Sequence, residues 1–458
     1  MPGDLLIKNA LIVSGSDFKN HDQKQDILVK DGIIVSIETS IENPNNYKEI
    51  DAKNMLVMPG FVNAHIHTWQ TGLRGLAGDW TATNYFRAMH AGLATFFEPE
   101  DIYIANLVGA LNQINNGVTT LVDWHHCNRT PDHSDAAIDG LEESGIRAVF
   151  LHGTPKPDPA PGQPHFSEVP MPENEVVRLR SGRMSRSDKK VTMGLAILGP
   201  QMAVNEVCMQ DFKLAKDMDL VTSMHHSGLQ MVGEQAYSMA YKSGLLGEHI
   251  NIVHGNELLE KDLEVLTDSG ATFTITAEVE MQMSYGNPLS ARLLKKNYPF
   301  SIGSDIESAY SPDMFAIART TMQVERHFLS REEQSKTGQR PHPIPITTSD
   351  AFDWATINGA KDFRLDDKIG TLEIGKKADI TLLRNSDLNL KNSFNPLHSI
   401  ICYGHPGNVD TVIIEGEIMK QNGKLNFANL DTKVSDLEAS GRKIYNEFKL
   451  KAATAEFG

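Results

Sequence analysis

The chain has 458 residues, 40% hydrophobic and 22% charged, the balance of an ordinary globular protein with one large domain and room for a smaller one. A formal net charge of −16 argues against nucleic acid or an anionic membrane surface as partner. Cys127, Cys208 and Cys402 are far apart and make neither a CxxC zinc motif nor a disulfide framework. With no basic-then-apolar leader and no bilayer-length apolar run, the expectation is a cytoplasmic protein.

Residues 4 to 57 read as short strands and turns. Leu5–Ile7, Ala10–Val13, Asp26–Val29 and Gly32–Val35 are β-rich, and Asp31-Gly32 marks a hairpin. The stretch Met58–His67 then predicts an apolar strand ending in His65 and His67, which alternation places on one face. From there apolar runs alternate with helical patterns. Further strands are predicted at Val118–Trp124, Arg147–Leu151, Val191–Ile197, Leu220–His225, Ile250–His254, Ala271–Thr276 and Pro299–Asp305. Over 100–116, Ile102, Ile104, Ala105, Val108, Leu111 and Ile114 approximate one apolar helix face, and Gly117 ends it.

Eight strands with helical stretches between them predict an α/β protein, a (β/α)8 TIM-type barrel over 58–370. A doubly wound open sheet is the alternative, and no Gly-x-Gly-x-x-Gly turn supports it. Short strands return at Ala378–Leu383 and Thr411–Gly416. Residues 1–57 and 371–430 are therefore expected to pair as one small discontinuous β-sandwich, with a closing helix in 431–458.

Catalytic residues of such barrels stand at the carboxyl ends of the strands. Here His65 and His67 end the first strand, His225 the fifth, His254 the sixth and Asp305 the eighth. Singly, each could be a packed core histidine or a helix cap. Five metal-competent side chains on one rim are poorly explained that way. Three imidazoles and a carboxylate suit one divalent cation, Zn²⁺ first and Fe²⁺ as the alternative.

The chain resembles the amidohydrolase superfamily, in its branch of cytosine deaminase-like and chlorotriazine hydrolase-like enzymes. The marks are Pro59-Gly60-Phe61-Val62-Asn63-Ala64-His65-Ile66-His67, Leu73-Arg74-Gly75, Gly303-Ser304-Asp305, Asn358-Gly359-Ala360-Lys361 and the stretch from Ile369 to Asp379. The resemblance implies that His65, His67, His225 and Asp305 bind the metal. His254 would polarise the substrate, and Asp305 would also take a proton from water. No lysine ends the fourth strand, where Leu198-Gly199-Pro200 follows, so one metal ion is expected rather than a carbamylated-lysine pair.

The chain departs from the deaminase pattern at Gly228, three residues after His225, where deaminases of the family carry a proton-shuttling glutamate. Glu278 and Glu280, past the seventh strand, are the nearest candidates to replace it. On a strand-like segment they would share a face, and paired carboxylates can divide acid and base roles. The plain alternative is two solvated charges, or a pair with Arg292. Trp69 and Gln70, after the first strand, and His125, after the second, are candidate substrate contacts. The Pro-rich loop 154–172 could cover a pocket or be a surface excursion.

The expected function is metal-dependent hydrolysis of a C–N bond, foremost deamination of a heterocyclic or aromatic small molecule. Hydrolytic dechlorination, or cleavage of an amide or urea-type bond, is the alternative, since a halide leaves without a proton. A metal-binding barrel without catalysis is the remote one. The resemblance adds a homodimer.

Overall fold

The computed structural model describes residues 4–14, 23–228 and 230–455, so residues 1–3, 15–22 and 456–458 of the expected flanks lie outside the described residues. The first flank holds β1 (Leu5–Ile12), β2 (Lys24–Lys30), β3 (Ile33–Glu38), β4 (Lys48–Asp51) and β5 (Met55–Pro59). Asp31 (φ 49°) and Gly32 (φ 74°) both take the positive φ that a tight two-residue hairpin needs between β2 and β3.

The barrel strands are β6 (Phe61–Ile66), β7 (Val118–His125), β8 (Arg147–Gly153), β9 (Val191–Ala196), β10 (Thr222–His226), β11 (Ile250–His254), β12 (Thr272–Ile275) and β13 (Ser301–Ile302). Neighbours pair in parallel in chain order. A bridge between Ile66 and Asp305 joins the two ends of the sheet. There the Asp305 amide donates to the His65 carbonyl (3.0 Å), and the His67 amide donates to the Asp305 carbonyl (2.8 Å). The barrel therefore closes at the predicted metal ligands.

The second flank supplies β14 (Ile380–Arg384), β15 (Val409–Ile414), β16 (Glu417–Gln421) and β17 (Lys424–Leu425). β14 lies antiparallel to β5, so both flanks join one nine-stranded sheet. It has its own core, in which Ile7, Ile27, Val29, Val57, Ile380 and Ile413 are fully buried. A buried bidentate pair ties this sheet to the barrel: Arg147 Nε and Nη2 donate to Asp379 Oδ2 and Oδ1 at 2.8 and 3.1 Å.

The predicted strand Met58–His67 is two strands in two sheets. β5 ends at Pro59 in the flank sheet and β6 begins at Phe61 in the barrel. The chain crosses between them at Gly60, where a Cβ would stand 2.1 Å from Thr119 Cγ2, so no side chain fits. The long helix before β7 runs Pro99–Asn115, with Pro at its first turn, where its missing N–H costs nothing. The C-terminal helix Leu430–Ala455 docks on it through Ser440 and Lys443, which bind the Asp101 carboxylate at 2.7 and 2.6 Å. Among the described residues no helix is long and apolar enough to cross a membrane.

Candidate metal centre and active site

Four elements bring the ligating atoms together. Donor atoms of His65, His225, His254 and Asp305 all lie within 4.8 Å of one another, and all four residues are buried. His65 Nε2 and His67 Nε2 each stand 3.3 Å from Asp305 Oδ1. The loop after β13 is held to β6 by Asn63, whose amide nitrogen donates to Ser304 Oγ (2.7 Å) and whose oxygen accepts from the Ser304 amide (3.0 Å). A Cβ on Gly303 would sit 2.6 Å from the His65 backbone, so glycine is what permits this approach. Asp305 (φ 61°) and His254 (φ 71°) occupy the left-handed region that non-glycine residues avoid. Each costs about 1–3 kcal/mol, strain of the sort that gathers at functional sites.

The chemistry of these atoms fits a divalent metal. His67 Nδ1 lies 2.6 Å from the Trp124 carbonyl, which can only accept, so Nδ1 carries the proton and Nε2 offers a bare lone pair to Asp305 Oδ1. Neither nitrogen of buried His65 has a hydrogen-bond partner. Bare lone pairs facing one another out of water are unfavourable unless a cation lies between them. Burial lowers the His65 pKa to about 3, and burial with the neighbouring His65 and His67 rings holds that of His225 well down. Neutral imidazoles and an ionised carboxylate are the states a metal requires.

His254 is set from behind. Its Nδ1 lies 3.0 Å from Thr276 Oγ1 and 3.3 Å from Glu280 Oε1. Glu280 is itself fixed by the Thr276 amide (2.7 Å) and Asn256 Nδ2 (3.2 Å). A carboxylate only accepts, so it draws the proton to Nδ1 and leaves Nε2 for the pocket, 4.0 Å from Asp305 Oδ2. The expectation that Glu278 and Glu280 share a face is corrected here. The segment is a helix, Ala277–Met283, and residues two apart on a helix point in different directions. Glu278 instead accepts from Thr320 Oγ1 (3.2 Å) and takes no part in the pocket wall.

His67, His225, His254 and Asp305 open into a cavity of about 540 Å³, a size suited to a small molecule. Tyr85, Phe86, Met202, Met283 and Tyr285 give it aromatic and apolar walls. Trp69, Gln70 and His125 are buried behind those walls. Trp69 Nε1 donates to His126 Nδ1 (2.9 Å), and Gln70 binds the Tyr85 hydroxyl (2.6 Å) and the Ser308 hydroxyl (2.7 Å). His126, not His125, faces the cavity, because β7 ends at His125 and the next residue turns inward. Sequence reasoning also passed over His90, Lys156 and Gln201. Lys156 opens the Pro-rich loop, so that loop does reach the pocket, though only with its first residues.

The position of the absent glutamate is occupied in space. A Cβ on Gly228 would come within 2.7 Å of Gln201 Nε2, and Gln201 Oε1 accepts from the Ser227 amide at 2.8 Å. Gln201 thus fills the volume into which a residue-228 side chain would project.

A parallel eight-stranded barrel with a three-histidine, one-aspartate centre at its mouth defines a metal-dependent hydrolase. The chain belongs to the amidohydrolase family, whose model matches residues 56–419. It is 28% identical over 458 residues to a 5'-deoxyadenosine deaminase of Methanobrevibacter smithii, covering 97% of this chain and 98% of that one. In structure it is similar to a zinc-bound adenosine deaminase from Xanthomonas campestris (TM-score 0.79, 19% identity, covering 97% of this chain and 99% of that one). It is similar also to the zinc complex of atrazine chlorohydrolase from Arthrobacter aurescens (TM-score 0.80, 18% identity, covering 95% and 100%). The protein is a hydrolase of carbon–nitrogen bonds other than peptide bonds.

Proposed function

We propose that the protein is a zinc-dependent aminohydrolase that removes the exocyclic amino group of an aminopurine-like heterocycle. The observation that carries this is His254, backed by Glu280, on one ring-sized cavity with His67, His225 and Asp305. The deaminase relative supports the substrate class, and zinc in the similar structures supports the ion. When bound, the cation supplies Lewis acidity that makes water nucleophilic near neutral pH. Asp305 takes the proton of the attacking water. His254 stabilises the charge that develops on the ring, and its imidazolium form is supported by Glu280. Asp305 hands that proton to His254 Nε2, 4.0 Å from Asp305 Oδ2, and His254 delivers it to the departing amino group, which leaves as ammonia. Tyr85, Phe86 and Tyr285 flank the ring and exclude water.

Zinc-reconstituted protein should release ammonia from at least one of adenine, adenosine, 5'-deoxyadenosine, guanine and cytosine. Silence across that panel, with one zinc bound per chain, would sink the reading. A second reading is favoured by one observation, the absence of a carboxylate at Gly228: a leaving group such as chloride needs no proton. Chloride release from a chlorotriazine without ammonia release from the panel selects it. We further read the chain as a catalytic barrel over 58–370, a β-sandwich from 1–57 and 371–430, and a closing helix over 431–458. A cytoplasmic homodimer completes the reading, and light scattering tests the dimer.

A further inference from the structure

The chain is acidic, with a net charge of −16, yet the cavity wall reverses that sign. It carries Lys156 and Arg87, and among the described residues its only carboxylate is Asp305, which belongs to the candidate metal centre. Lys156 is 3% exposed and makes neither a hydrogen bond nor an ion pair among the described residues. Its Nζ lies over the Trp124 ring, 5.2 Å from the centroid. An indole face restores only part of what a buried ammonium loses in leaving water.

A second donor stands beside it without an acceptor. Trp69 Nε1 can only donate, so His126 Nδ1 accepts and His126 Nε2 carries the proton. That Nε2 is buried, has no partner and belongs to a ring on the same cavity wall. Two donors on one wall, neither with a hydrogen-bond partner among the described residues, suit a counter-group that arrives with the ligand. Its place is close to the chemistry, because the Trp124 ring under Lys156 packs 4.4 Å from the His225 ring. Burial lowers the Lys156 pKa to about 7, and an incoming anion would restore the charged form.

We propose that Lys156 and the Nε2–H of His126 receive an oxyanion, a carboxylate or a phosphate, so that the substrate is an anionic aminoheterocycle with its charge near the reacting ring. The proposal rests on the aminohydrolase reading for the reaction, but not for the binding. The test is calorimetric binding to the zinc-loaded full chain with two matched pairs, 2-aminopyridine against 6-aminonicotinate and 2-aminopyridine against its 5-phosphonate analogue, a stand-in for phosphate. The anionic member of at least one pair should bind ten-fold or more tighter, and the pair that responds distinguishes carboxylate from phosphate.

Lys156→Met should reduce that preference to within two-fold, leave the neutral member's affinity within three-fold, and Lys156→Arg should keep part of the preference. Circular dichroism checks folding, with Lys156→Gln in place of Lys156→Met if the latter does not fold. Equal or absent binding of both members in both pairs overturns the proposal, as does a preference that survives Lys156→Met. An anion preference without ammonia from any heterocycle would overturn the aminohydrolase reading and leave this site standing. Ammonia release with no anion preference would do the reverse.

Discussion

Glu280→Gln isolates what the carboxylate behind His254 contributes. The side chain is 2% exposed and accepts from the Thr276 amide and Asn256 Nδ2 while facing His254 Nδ1 at 3.3 Å. A glutamine keeps the volume and one acceptor but turns the other oxygen into a donor. Whichever way the amide is turned, its NH₂ meets a donor, either Asn256 Nδ2 or the Thr276 amide. At an effective dielectric of about 20 a full charge at that separation interacts with an imidazolium by roughly 5 kcal/mol, which is a ceiling. Hydrogen bonds to charged groups are worth about 1.5–3 kcal/mol net. At about 1.4 kcal/mol per decade, kcat should fall about 10- to 100-fold. KM should stay within about three-fold, because Glu280 does not line the cavity. Zinc content should not change, because Glu280 is not in the donor set. Steady-state ammonia release and metal analysis read all three. A variant that keeps more than half of kcat, or that loses its metal, refutes the positioning argument.

Glu278→Gln is the internal control. Its hydrogen bond to Thr320 lies outside the cavity, so kcat and KM should match wild type. Chelation should lower the melting temperature and abolish turnover, and added zinc should restore both, since a ligand bound only by the folded state stabilises it; a melt indifferent to chelator contradicts the metal assignment. Lys156→Met should raise stability at pH 7 by on the order of a few kcal/mol. The wild-type lysine has its pKa lowered to about 7 when folded, so between there and its unfolded value near 10.5 the unfolded chain binds the extra proton and wild-type stability rises with pH. The variant's advantage should therefore be full below pH 7 and shrink towards pH 10 in urea melts, and an advantage that grows with pH would refute the sign. Gly228→Glu should lose most activity because Gln201 holds that space, while the double variant with Gln201→Ala should recover part of it; equal losses in both would show that the clash is not the cause.

The barrel and its rim were legible because each rests on a short-range pattern. Strand alternation and the spacing of apolar runs revealed the order of β6 to β13, and the rim rule then collected His65, His67, His225, His254 and Asp305. What was not legible depends on where a side chain points at the end of an element. Helix or strand after Thr276 decides whether Glu278 shares a face with Glu280, and two acidic residues in an apolar context do not announce which. His125 and His126 differ by one residue, and the last residue of β7 settles which of them enters the cavity. Gly60 offered a usable signal. A Pro-Gly pair inside one apparent strand marks a break, because proline withholds a ladder donor and glycine allows a close crossing.

The metal centre and the closure of the barrel are one feature of this chain. Only two residues of the last strand pair with β12, so the join between the last and first strands rests on Asp305, whose backbone bridges to β6 while its side chain faces His65 and His67. The left-handed backbone at Asp305 is what lets one residue do both, and Asn63 and Gly303 hold the two segments at the necessary distance. A cation bound by His65 and Asp305 would therefore also lie across the seam of the barrel. This explains why the strongest motif in the sequence stands at the first strand and its partner at the eighth. The fold needs those two ends to meet, and the chemistry uses the place where they do.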